Sequence, residues 1–155
     1  MSERLTSDWT DTSEQAFGKT GAKGDAGEAF LMKVFDKWGW EYNHSPSNKN
    51  LQLKGIDISF KDPSWAYFYS ADVKSNLNRK GIFYVETDSR GWLFNSSKTS
   101  DRIWHVNPDT GWMAWYGRSA MKKYIKDLKL VDCGLIAIEV TDCKNFVTRR
   151  QVKDV

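Results

Sequence analysis

Residues 51 to 76, LQLKGIDISFKDPSWAYFYSADVKSN, contain the side chains best suited to chemistry. Two β-rich runs flank Lys61-Asp62-Pro63-Ser64, whose Asp-Pro-Ser composition is that of a turn. In the first run Ile56, Ile58 and Phe60 alternate with Asp57 and Ser59, so Asp57 is expected on the face opposite the three apolar side chains. In the second, Asp72 and Lys74 are two apart and share a face, while Val73 points the other way. A hairpin would bring Asp57 beside Asp72 and Lys74. Two carboxylates can hold Mg, a hard cation that takes oxygen ligands and leaves room for waters and phosphate oxygens. A lysine alongside can orient or deprotonate a water and offset charge at a phosphate. The plain alternative is an exposed hairpin with a solvated ion pair, and spacing alone admits both, because Asp-x-Lys is a very short motif.

Gly55-Ile56-Asp57-Ile58, a turn, then an aromatic strand ending in Ala71-Asp72-Val73-Lys74 resembles the core of the PD-(D/E)XK nuclease superfamily. In that family the first acid opens a strand after a short turn, and (D/E)-x-K closes the next. Gly55-Ile56 stands where the family often has Pro, and Asp72 where Glu is commoner; both are permitted variants. The likeness covers residues 24 to 76, and beyond them only the order of elements. It implies a restriction-endonuclease-like core, with Asp57, Asp72 and the Val73 carbonyl holding Mg or Mn and Lys74 acting on the attacking water.

Residues 24 to 38, GDAGEAFLMKVFDKW, read as an amphipathic helix with Phe30, Leu31, Val34, Phe35 and Trp38 on its apolar stripe and Gly39 as C-cap. Glu28 falls on the buried side, where a carboxylate is costly without a partner. One reading is an acid favoured near a helix start by the dipole. The resemblance supplies another, since these nucleases often carry a Glu on the first helix facing the metal, and Gly27-Glu28-Ala29 fits that placement. Ala29 stands where archaeal Holliday-junction resolvases usually have Arg, so the likeness to that subgroup is distant. Asp25 is a second acid at the start of the segment.

Residues 1 to 23 read as a polar arm, with a short irregular helix around Ser13 to Phe17, and residues 24 to 155 as a single domain. A strand and polar loop are expected at 40 to 50, and a polar, basic loop after Lys74. Further strands are expected at 81 to 87, in a hairpin over 102 to 117 and in the apolar run Cys133 to Val140, and the basic tail reads as a last strand or an arm. The segment 91 to 97 reads as a short helix or surface loop, and Arg118 to Leu128 as a helix with Met121, Tyr124, Ile125 and Leu128 on one stripe. The fold class is therefore α/β or α+β, with a mixed central sheet flanked by helices. The 102 to 117 hairpin would extend the family's core of a helix, three strands, a helix and a strand.

Hydrophobic content of 40% and charged content of 28% describe an ordinary globular chain, long enough at 155 residues for one real core. No apolar run approaches a membrane span, and the first residues lack the apolar stretch of a signal peptide. Cys133 and Cys143 lack metal spacing and read as free thiols, which suits a reducing cytoplasm; His44 and His105 give no zinc signature. The net charge of +3 is uneven: residues 118 to 155 hold nine Lys/Arg against five Asp/Glu. A basic quarter suits a phosphate backbone, or simply a solvated face. Lys54, Asn76, Arg79 and Lys80 flank the acids and are the expected contacts to DNA. The eight Trp serve either a core or stacking on unpaired bases, with Trp38, Trp92 and Trp104 expected inside.

The function expected is a Mg-dependent endonuclease acting on DNA, structure-directed, in recombination, repair or phage DNA processing, either alone or as a homodimer. A non-catalytic nucleic-acid-binding domain on the same fold, and an unrelated adaptor carrying a surface ion pair, are the alternatives.

Overall fold

The computed structural model describes residues 14–155, with side chains from Asp25 onward. It is a mixed α/β protein built on a mostly antiparallel sheet with few helices. Helix α1 (Glu14–Trp38) takes in residues 14 to 23, while the rest of the expected arm lies outside the described residues. Its stripe is as the spacing predicts: Phe30, Leu31, Val34 and Phe35 are buried, and Trp38 is half-buried beside them. Gly39 adopts φ 73°, which lets its N–H reach the Asp36 carbonyl and the Trp40 N–H reach that of Phe35. This paired closure ends the helix and turns the chain into β1 (Glu41–His44).

A short helix, α2 (Lys49–Leu53), follows, with the Asn48 side chain accepting from the Leu51 N–H. Strands β2 (Ile58–Lys61) and β3 (Tyr69–Lys74) then form the expected antiparallel pair, with Ile58 opposite Ala71. Asp62 starts the connection: its carboxylate accepts from the Ser64 N–H and hydroxyl, and its carbonyl from the Trp65 N–H.

The remaining elements are β4 (Ile82–Glu86), β5 (Arg102–Asn107), β6 (Trp112–Gly117), α3 (Arg118–Asp127), β7 (Leu135–Glu139) and β8 (Thr148–Gln151). The main sheet has six strands in the order β1-β2-β3-β5-β6-β8, and every pairing in it is antiparallel except β3 with β5. The β5–β6 hairpin is thus no appendage, since β5 is the direct neighbour of the strand bearing Asp72 and Lys74. The crossover from β3 to β5 holds no helix among the described residues. It contains β4, the strand expected at 81 to 87, and a run of turns in which Trp92, as expected, and Leu93 are buried. The apolar run at 133 to 140 does not join the main sheet. It forms β7, paired with β4 in a separate two-stranded ladder, and of β7 only Ile138 is buried.

Side chains alternate between two cores, one on each side of the main sheet. Helix α1 covers Ile58, Phe60, Ala71, Val73, Trp104 and Met113. Helix α3 and the β4–β7 ladder cover Ile103, Ala114 and Tyr116. On α3, Met121 and Ile125 are buried as expected, but Leu128, the residue that caps the helix, is exposed. Both cysteines are free thiols, Cys143 buried and Cys133 exposed. Among the described residues no helix is long and apolar enough to cross a membrane.

Candidate functional site

The strand registers decide where the acids meet. Asp57 immediately precedes β2, so it sits at the end of the ladder, in line with Asp72 by continuation of the Ile58–Ala71 pairing. Its N–H donates to the Ala71 carbonyl at 2.8 Å, and its Oδ2 accepts the Val73 N–H at 2.8 Å. The carboxylate thus stands in for a missing ladder partner and is held in place by the backbone of the Asp72–Lys74 segment. Asp72 is only 4% exposed, and the Lys74 ammonium lies 3.3 Å from its Oδ1. Lys74 is held from a second side by the Trp92 ring, whose centroid is 4.9 Å from Nζ.

Helix α1 delivers the third acid. A Cβ at Gly27 would overlap the Ser75 hydroxyl, so a larger residue here would require the Ser75 side chain to move as the helix packs against the end of β3. The next residue, Glu28, is thereby carried to the cluster. Its Oε1 pairs with His44 Nε2 of β1 at 2.6 Å.

The four predicted residues share one electrostatic field. Burial pushes the Asp57 carboxyl up to about 8, the charges of Asp72 and Glu28 add to this, and the Val73 N–H and Lys74 oppose it. Burial likewise raises Glu28, against the pull of the His44 hydrogen bond and charge, with Asp25 and Asp72 raising it further. Asp25 itself is exposed. Three acids are therefore crowded around one lysine and one histidine.

The divalent cation implied by the resemblance suits this donor set. The ligands on offer are hard oxygens, and a buried carboxyl raised by its acidic neighbours is a group that positive charge would relieve. Asp57, Asp72, the Val73 carbonyl and Glu28 are the residues that would hold it. Among the described residues no three of His, Cys, Asp and Glu stand in an arrangement that could hold a metal ion as they are placed. The cluster is a set of coupled carboxylates, not a finished cage.

Of the expected nucleic-acid contacts, Lys54, Arg79 and Lys80 are exposed. Asn76 does not fit that role. It is buried, its Nδ2 donates to the Tyr84 carbonyl, and its Oδ1 lies 2.5 Å from His105 Nδ1. Because Asn76 Oδ1 can only accept, His105 carries its proton on Nδ1 and its Nε2 accepts from the Tyr116 hydroxyl at 2.6 Å. Burial keeps His105 well below its ordinary pKa, with Lys74 adding to the effect. This neutral relay lies under the Asp72–Lys74 face, since Lys74 is paired in register with His105.

His44, Trp92, His105 and Tyr116 were not singled out as site residues by spacing, and Asn76 was assigned a different role. His44 lies 16 residues from Glu28 and His105 29 residues from Asn76, and local alternation carries no signal of that kind. Arg118 is a similar case, a helix-start residue whose buried guanidinium donates to the carbonyls of Trp92, Leu93 and Ser100 and to the Ser100 hydroxyl. It fixes the loop that carries Trp92. Comparison of the chain with protein-family models, curated proteins and solved structures gives no match.

Proposed function

We propose that the protein is a Mg-dependent deoxyribonuclease, with Mn able to replace Mg, that cleaves within DNA in a structure-directed way. One observation carries the reading: Asp57, Asp72, Glu28 and Lys74 meet at one end of the sheet and perturb one another there. The helix-then-three-strand order and the parallel β5 beside β3 support a restriction-endonuclease-like core, with a crossover that is not helical.

Asp57, Asp72, Glu28 and the Val73 carbonyl would hold the cation. When bound, the cation would lower the pKa of a water and offset charge at the phosphate and the leaving oxygen. The Lys74 ammonium, kept in place by Asp72 and the Trp92 ring, would position the attacking water and take up negative charge at the phosphate. His44 would orient Glu28. Lys54, Arg79 and Lys80 would contact phosphates along the backbone.

A second reading, a non-catalytic DNA-binding domain on the same fold, has the absence of a closed metal cage among the described residues in its favour. A panel of linear, single-stranded, flapped and four-way DNAs with Mg, Mn or EDTA separates the two. Cleavage with Mg or Mn and none in EDTA is expected; binding without cleavage under all conditions selects the second reading.

A further inference from the structure

At the end of β3 away from the carboxylates, the protein has a second candidate site. A cavity of about 480 Å³ is walled by Trp40, Trp65, Tyr69, Trp104, Trp115 and Arg102, among others. Tyr69 opens β3 and Asp72 follows three residues on, so the cavity and the acids are about 10 Å apart along the strand.

The chemistry of the walls narrows the ligand. Aromatic rings dominate, so the ligand presents a flat or apolar face. Among the described residues the one charged lining residue is Arg102 and no acid lines the cavity, which disfavours a cationic ligand. A sugar is disfavoured as well, because Thr148 and the tyrosines are the only side-chain hydroxyls offered and no carboxylate or amide is present to hold a ring of hydroxyls. Arg102 has unspent donors. Its guanidinium carbon lies 4.4 Å from the Tyr69 ring centroid, and among the described residues its one hydrogen bond is a long 3.5 Å contact to the Asp101 carbonyl. The Asp101 carboxylate is engaged instead by the Ser70 N–H and hydroxyl. The indole N–H of Trp104 is buried without an acceptor. Positive charge continues along the same face through Arg150, set over the Trp38 ring at 5.0 Å.

We infer that this cavity binds an unpaired nucleobase of single-stranded DNA, with the base against the tryptophans and the neighbouring phosphate on Arg102. Stacking walls combined with a cationic rim are the means by which single strands are held without sequence preference. The inference rests on the DNA reading above and gives it a substrate class: DNA with a single-stranded arm. The loop that brings Trp65 to the cavity continues through Tyr67, 81% exposed, and Phe68, so further aromatic surface lies beside the opening.

The test measures anisotropy of a labelled oligothymidylate and of a blunt duplex of equal length, both in EDTA, with the full chain and its Arg102→Ala and Trp65→Ala variants. Trp65 packs in an aromatic cluster, so circular dichroism and melting check its variant, while half-buried Arg102 gives the milder change. Tighter binding of the single strand than of the duplex is expected, with each variant losing about tenfold or more on the single strand and less on the duplex. A wild-type preference for duplex overturns the proposal, as does undiminished single-strand binding by folded variants. Sedimentation adds one further outcome: a dimer that Arg102→Ala dissolves makes a second copy the occupant and also overturns it. Variant-sensitive single-strand binding by a protein that cuts none of the DNA panel would support the pocket and remove the nuclease reading. Cleavage of DNA with no single-strand preference would do the reverse.

Discussion

The two ends of β3 are built on opposite terms. At Tyr69 the strand enters a continuous aromatic cluster: Phe60 lies 6.1 Å from Tyr69 and 5.5 Å from Trp104, and Trp104 stacks on Trp115 at 4.2 Å. Each of those contacts favours the folded state. At Lys74 the strand enters a group of three acids in which burial and like charge work against folding. A single strand of six residues thus links a stabilising end to a strained one. Strain of this kind persists at sites where charge has a use, with the packing elsewhere supporting it.

Substitution separates the two ends. The largest effect is expected at the acid end and in activity: Asp57→Asn or Asp72→Asn should abolish DNA cleavage, measured on the panel above, while leaving the fold intact. Lys74→Ala should lower the rate by about 100-fold or more, the scale of a positioned proton-transfer group, with much less change in DNA binding. Equal losses in rate and binding would reduce Lys74 to an anchor. At the aromatic end the same severity should appear in stability instead. Trp104→Ala should cost about 3–5 kcal/mol by urea unfolding, as other large-to-small core changes do.

Glu28→Gln sharpens the comparison further. Glu28 lies fourteen residues past the start of α1, beyond the reach of its dipole, so the helix-start reading falls away; a residue serving only the helix there would leave turnover alone. Facing the cluster, it should instead cut turnover and raise the Mg concentration needed for half-maximal rate. Asp25→Asn, one turn earlier and exposed, is the control and should have the smallest effect of all.

Much of this was legible locally. The α1 stripe, the Gly39 cap, the β2–β3 hairpin and the alternation of Asp72, Val73 and Lys74 depend on neighbours within a few residues, and hydrophobic period reports them. What stayed hidden depends on distant pairing. Nothing in Arg102–Asn107 marks it as the parallel neighbour of β3, and nothing in Leu135–Glu139 marks its departure to pair with β4. Asn76 reads as a loop residue because Asn is common in loops, yet its amide is spent on His105 and Tyr84. The Glu28–His44 pair joins a helix to a strand through the fold alone. The carboxylate cluster was therefore readable in its hairpin half and not in the groups that hold it.

The strained end also predicts a pH dependence. A carboxyl near 3.9 in the unfolded chain and near 8 in the fold binds more protons folded than unfolded throughout that window. Without divalent cations, stability should therefore fall as pH rises from about 4 to 8 and level off above it. Asp57→Asn should flatten the profile.

The most direct test of the central claim, that the crowded acids form a cation site, is the melting temperature against Mg concentration at a pH just above 8. For the wild-type protein the melting temperature should start low and rise with Mg, because a ligand that binds only the folded state stabilises it. For Asp57→Asn it should start higher and rise little. A wild-type melting temperature that Mg leaves unchanged, or an Asp57→Asn variant that responds as strongly as wild type, would contradict the account.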